Sequence, residues 1–187
     1  MRRLQAITIT AVAAIALAAC GSGSTSDQAD AATEVVSTPS AADDAGDTAP
    51  AETKVPKQLD FTSTTTTGAS FEGASLAGKP TVLWFWAPWC HVCKEEAPTV
   101  RSAAEASDVN FVGVAALDSA PAMQGFVKNF GLDFTNLADT NAAVWAKFGV
   151  TSQPSFAFIS ASGEIDVVSG RLSASQLDSK IAELEKS

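Results

Sequence analysis

Thr81–Pro98 reads TVLWFWAPWCHVCKEEAP, and the reading of this stretch decides the fold. Its first six residues are apolar on both faces of an extended chain, with Val82, Trp84 and Trp86 on one side and Leu83 and Phe85 on the other. A strand without a polar face belongs in the middle of a sheet covered by helices. Ala87-Pro88-Trp89 turns the chain, and a helix is expected to begin at or near Cys90. Pro98 falls some two turns into that helix, where it removes an N–H and crowds the carbonyl of Lys94, so a kink is expected there.

Downstream the pattern alternates. Asn110–Ala116 is a second buried strand. Asp118-Ser119-Ala120-Pro121 opens a helix with Met123, Phe126, Val127 and Phe130 at helical spacing, stopped at Gly131. Phe134–Leu137 is a short strand, and Asp139 caps a helix carrying Val144, Trp145 and Phe148. Ser155–Ser160 and Glu164–Val168 flank a short hairpin loop, and Ser173 to Gln176 forms a capping box for a last helix with Leu177, Ile181 and Leu184. Upstream, Leu59–Ser63 against Ser70–Glu72 is expected to make a loose hairpin, with turns at Gly68 and Gly73. From the buried strand onward the order is βαβαβαββα, an α/β architecture with mixed strand directions.

The first residues have a different character. Met1-Arg2-Arg3 is a short positive segment, and Leu4–Ala19 is an apolar run of 16 residues, short for a spanning helix, which needs about 20. It reads as an export signal. Leu17-Ala18-Ala19-Cys20 resembles the bacterial lipobox, which implies cleavage before Cys20 and a lipid on its sulfur. The other reading is an ordinary signal peptide, with Cys20 removed or left as a free thiol. Residues 21–54 are Ser, Thr, Ala, Asp, Gly and Pro with little else. Such a segment buries too little apolar surface to offset its chain entropy and is expected to be disordered, with a reach on the order of 30–35 Å as a flexible coil. The expected division is 1–19 signal, 20–54 lipidated cysteine and acidic linker, and 55–187 the globular domain.

The net charge of −9 is unevenly spread. Seven acids and no base lie between Gly21 and Thr53, whereas Lys54 onward carries 14 acids and 10 bases. No basic footprint exists, which excludes nucleic acid as a partner.

Cys90 and Cys93 form a C-x-x-C. The attacking species in disulfide exchange is the thiolate, and unpaired N–H groups at a helix N-terminus favour its negative charge. Cys90 is therefore expected to be the exposed nucleophile, and Cys93, one turn on, the more buried residue that resolves the mixed disulfide. Half of a zinc site is the competing reading. It needs two more ligands, and the only His is His91, inside the motif. His91 and Val92 form the dipeptide between the cysteines. An imidazole beside Cys90 would stabilise the thiolate and make the disulfide a stronger oxidant; a solvated His91 would do little. Glu96, three residues past Cys93, shares its helical face, while Glu95 is expected to be solvated.

FWAPWCHVC followed by Lys-Glu-Glu-Ala-Pro, with Gln153-Pro154 before a strand, resembles the thioredoxin superfamily. The likeness spans roughly residues 57–187 and is to the exported TlpA/ResA-like branch, including actinobacterial proteins of the DsbE and DsbF type. It implies a thioredoxin-like fold: a central mixed sheet flanked by helices, an N-terminal hairpin and an inserted βα unit. It also implies a redox disulfide between Cys90 and Cys93 with no other cofactor, and a cis peptide before Pro154. Trp89, Gln153 and Pro154 would meet substrate, and Glu96 would assist proton transfer to the buried cysteine. One departure stands out. Thioredoxins proper carry a buried aspartate where this chain has Trp84, so that proton route is absent and more weight falls on Glu96.

The resemblance points to a thiol–disulfide oxidoreductase, lipid-anchored outside the cytoplasmic membrane and monomeric. Export favours an oxidase that passes its disulfide to secreted proteins and is reset by a membrane redox partner. The same dithiol run in reverse would reduce apocytochrome c or other exported thiols. A peroxiredoxin is a third reading, weakened by Ala87 where a threonine is usual. A binding lipoprotein with a vestigial site is a fourth, disfavoured by intact Cys90, Cys93 and Pro154.

Overall fold

A computed structural model of the chain describes residues 55–187; the expected export signal, Cys20 and the linker lie outside them. Seven strands and four α-helices follow in the order β1 (Thr62–Thr64), β2 (Ser70–Glu72), β3 (Thr81–Trp86), α1 (His91–Ala106), β4 (Asn110–Ala115), α2 (Ala120–Phe130), β5 (Thr135–Ala138), α3 (Ala143–Lys147), β6 (Ser155–Ile159), β7 (Ile165–Ser169) and α4 (Ala174–Leu184). The main sheet has the strand order β5-β4-β3-β6-β7. β3 runs parallel to β4 and antiparallel to β6, so the sheet is mixed as expected. The βα insertion is visible as β5, an extra strand beyond β4, with the helices that flank it in sequence.

Every residue of β3 is buried. Its period-two alternation sends Val82, Trp84 and Trp86 to one face, packed with α1, α2 and α4, and Leu83 and Phe85 to the other, packed with α3 and Leu59. On the first face Trp84 and Trp86 stack with centroids 5.8 Å apart, and Phe126 lies 4.2 Å from Trp86. On the second, Trp145 meets Phe85 edge-on at 6.1 Å and donates its Nε1 hydrogen to the Val114 carbonyl at 2.9 Å. Leu177, Ile181 and Leu184 hold α4 in place, each contributing about 1.5–3 kcal/mol by burial.

Helix ends follow the local sequence. Ser173 and Gln176 form the expected capping box at α4. α2 follows the N-cap Ser119 with Pro121 in its first turn and stops before Gly131, whose φ of 60° is the left-handed conformation that favours glycine. Asp139 caps α3 from a distance: Oδ2 accepts the N–H groups of Val144 and Trp145, both at 3.0 Å. α1 continues through Pro98 to Ala106.

Several boundaries differ from expectation. The first hairpin strand begins at Thr62 rather than Leu59, because Lys57–Leu59 form a 3-10 turn that buries Leu59 in the second core cluster. The last strand of the insertion is Thr135–Ala138 rather than 134–137, and β7 starts at Ile165. The β1–β2 hairpin closes over the β5 edge, with Thr65 bridged to Leu137 and the Thr66 N–H donated to the Asn136 carbonyl at 2.8 Å.

Candidate active site

β3 delivers the chain to the site, and the turn after it ends in Cys90, the N-cap of α1. Cys90 and Cys93 are joined in a disulfide with Cα atoms 5.2 Å apart. The Cys93 N–H donates to Cys90 Sγ at 3.1 Å. The first sulfur thus sits where the orphan N–H groups of a 16-residue helix converge. Cys90 was expected to be exposed; it is 5 % exposed against 0 % for Cys93. The order of access is as expected but the margin is narrow, because in the closed ring each sulfur covers the other.

Ser155 pairs with Phe85 in the β3–β6 register, which sets Pro154 beside the end of β3 from which the chain runs to Cys90. The Gln153–Pro154 peptide is cis, as expected. Trp89 is 54 % exposed beside the motif, its Nε1 hydrogen donated to the Leu117 carbonyl at 3.0 Å. Leu117 has a φ of 62° and is itself exposed, as is Val92 between the cysteines, so an apolar rim borders the disulfide.

Glu96 is 1 % exposed. Oε2 accepts the Trp84 indole N–H at 3.0 Å, and Oε1 accepts the backbone N–H of Leu172 at 2.8 Å. Burial pushes its carboxyl above the usual range, outweighing the two N–H donors and the Arg171 charge, which pull it down. Trp84 was expected only to remove a proton route. Its N–H instead orients the remaining acid, a role that needs the indole's direction and has no signature in the sequence.

The His91 ring, for which a place beside Cys90 and a solvated one were both open, has Nε2 3.0 Å from Glu95 Oε1, one turn along the exposed face. Glu95, expected to be merely solvated, also receives Arg171 Nη1 on Oε2 at 3.0 Å. Gly170, Arg171, Leu172 and Leu117 meet the site's residues through their backbone or across a long sequence separation, and none belongs to a motif.

A buried strand ending in Trp-Cys-x-x-Cys, a helix capped by the first sulfur and a cis-proline at the neighbouring strand define a thioredoxin-fold thiol–disulfide oxidoreductase, an enzyme whose working group is its own disulfide. Comparison with known proteins agrees. Residues 44–171 match the Redoxin family model, and the chain belongs to that family. The soluble secreted antigen MPT53 of Mycobacterium tuberculosis is 45% identical over 132 residues, 68% of this chain and 76% of that protein. The thiol-disulfide oxidoreductase ResA of Bacillus subtilis is 30% identical over 116 residues, 60% of this chain and 65% of that protein. Among solved structures, MTB DsbF superposes with a TM-score of 0.69 at 52% identity, over 70% of this chain and 99% of that one. A secreted Mycobacterium tuberculosis disulfide oxidoreductase homologous to E. coli DsbE gives 0.66 at 44% identity, over 68% and 98%. No helix among the described residues is long and apolar enough to cross a membrane.

Proposed function

We propose that the chain is an extracytoplasmic oxidase that transfers its Cys90–Cys93 disulfide to exported proteins while tethered to the membrane through a lipid on Cys20. The observation that carries the direction is the Cys90 sulfur at the N-cap, accepting the Cys93 N–H. A site that stabilises the Cys90 thiolate stabilises the reduced form and so makes the disulfide a better oxidant. Relatives described as secreted support the compartment.

A client thiolate attacks Cys90 Sγ, breaking the Cys90–Cys93 bond and forming a mixed disulfide. Cys93 leaves as a thiolate and takes the proton held by Glu96. A second client thiolate then attacks the client sulfur of the mixed disulfide. The client departs with a disulfide, Cys90 is released as a thiolate, and two electrons remain on the dithiol. A membrane redox partner takes them and restores the ring. In the reverse direction Glu96 accepts the Cys93 proton. Trp89, Gln153 and Pro154 receive the client as an extended segment, with Trp89 and Val92 offering apolar contact. His91 and Val92 tune the pair from between the sulfurs, with the His91 ring held by Glu95.

The redox potential tests the direction. It is expected above that of thioredoxin, at roughly −200 to −120 mV on the usual scale. A value near −270 mV or below would sink the oxidase reading and turn the same chemistry into reduction of exported disulfides.

A further inference from the structure

Three consecutive residues after β7 touch three separate parts of the site. The Gly170 N–H donates to the carbonyl of Pro154 at 2.9 Å. Arg171 Nη1 lies 3.0 Å from Glu95 Oε2. The Leu172 N–H donates to Glu96 Oε1 at 2.8 Å, and its side chain is buried in the core that holds the disulfide. The two adjacent acids of α1 thus grip two adjacent residues of one loop, Glu95 from outside and Glu96 from inside.

We propose that Arg171 is a positioning residue for the thiol chemistry: by docking on Glu95 it seats the Gly170–Leu172 loop against α1 and holds the Leu172 N–H on the Glu96 carboxylate. The inference rests on the reading of Glu96 as the proton carrier for Cys93. A half-exposed ion pair is weak in water, but this one need only bias a loop whose ends Gly170 and Leu172 already anchor. Charged groups around Glu96 are few. Its own helix supplies Cys93 and, on the exposed side, His91, Lys94 and Glu95; β3 offers the uncharged Trp84 indole; the loop offers Arg171. α2 and α4 contribute apolar side chains to the same core, Phe126 and Leu177 among them. Arg171 is the cation whose charge reaches the acid.

The experiment follows ring closure on the full-length chain from pH 5 to 9. Reduced protein is mixed with glutathione disulfide, and acid-quenched samples report decay of the Cys90–glutathione mixed disulfide. In that step the Cys93 proton passes to Glu96, the Cys93–Cys90 bond forms and glutathione leaves as its thiolate. Arg171→Ala is expected to raise the pH midpoint by roughly 0.3–0.7 pH units, as fits a weak pair. Arg171→Lys is expected to recover part of the change, and 1 M salt to narrow it, because screening then reaches within about 3 Å. Glu95→Gln separates docking from bare charge. Removing an anion beside Glu96 would by itself lower the midpoint, whereas undocking Arg171 raises it, and a rise is expected. An unchanged midpoint in Arg171→Ala, or an unchanged or lowered one in Glu95→Gln, overturns the proposal. Glu96→Gln should flatten the pH step; if it leaves the wild-type profile intact, the underlying reading of Glu96 fails instead, which distinguishes the two.

Discussion

At the scale of single residues, Glu96 is an acid kept from water by an indole on one oxygen and a backbone amide on the other. Its carboxyl titrates above the ordinary value of 4.5, so between that pH and its folded value the native chain holds a proton that the unfolded chain has released. The stability linked to Glu96 is therefore present in full below about pH 4.5 and falls as pH rises through the folded value. Glu96→Gln is expected to flatten that fall, so that the difference in urea unfolding free energy between variant and wild type drifts in the variant's favour from pH 4 to pH 8. Parallel curves would count against a raised titration. How much of this was legible beforehand divides by chemistry. Cys90, Cys93 and Glu96 stand at spacings that put them on one helical end and face, and the family resemblance implied the cis peptide before Pro154. Trp84 looked like a loss because sequence shows that an aspartate is missing but not where an indole N–H points. Arg171 and Leu172 lie 76 residues from their partners, in a loop with no signature.

At the scale of elements, the lack of a polar face in TVLWFW was enough to make β3 the central strand, and its two faces seed the two halves of the core. The start of the first hairpin was misplaced because β propensity at Leu59 gives way to burial, which a 3-10 turn satisfies and an edge strand would not. A less visible constraint sits in β4. A Cβ on Gly113 would run into the Asn136 side-chain amide and approach Trp86 Nε1 to 2.8 Å. Asn136 Oδ1 and Trp86 Nε1 are both buried without a hydrogen-bond partner, so the three groups crowd one spot with no slack. Gly113→Ala is expected to cost about 1–3 kcal/mol, the usual range for overpacking a core, read as a lowered denaturant midpoint at unchanged slope. A neutral result would mean that Asn136 rotates away freely.

For the whole molecule, the proposed arrangement is a redox domain on a tether. Cys20 lies outside the described residues, so its lipid is tested in cells. Wild-type chain is expected in the membrane fraction with a mass increase on its N-terminal peptide, and Cys20→Ala is expected to be released or retained unprocessed. Equal membrane retention of a processed Cys20→Ala chain would remove the lipid from the scheme. The tether reading rests on composition alone, an acidic stretch without aromatic residues; its length requirement has no counterpart in the residues.

The β1–β2 hairpin bears on a hazard of this trade. An enzyme that handles unfolded chains is surrounded by segments ready to extend any open sheet. Here the β5 border is occupied by Thr65 and Thr66, and the β7 border carries Asp166, tied to Lys180 at 3.1 Å. With one flank shut and the other marked by charge, neither border of the sheet invites a strand to stay, and under the proposed function a client is left the proline beside the sulfurs.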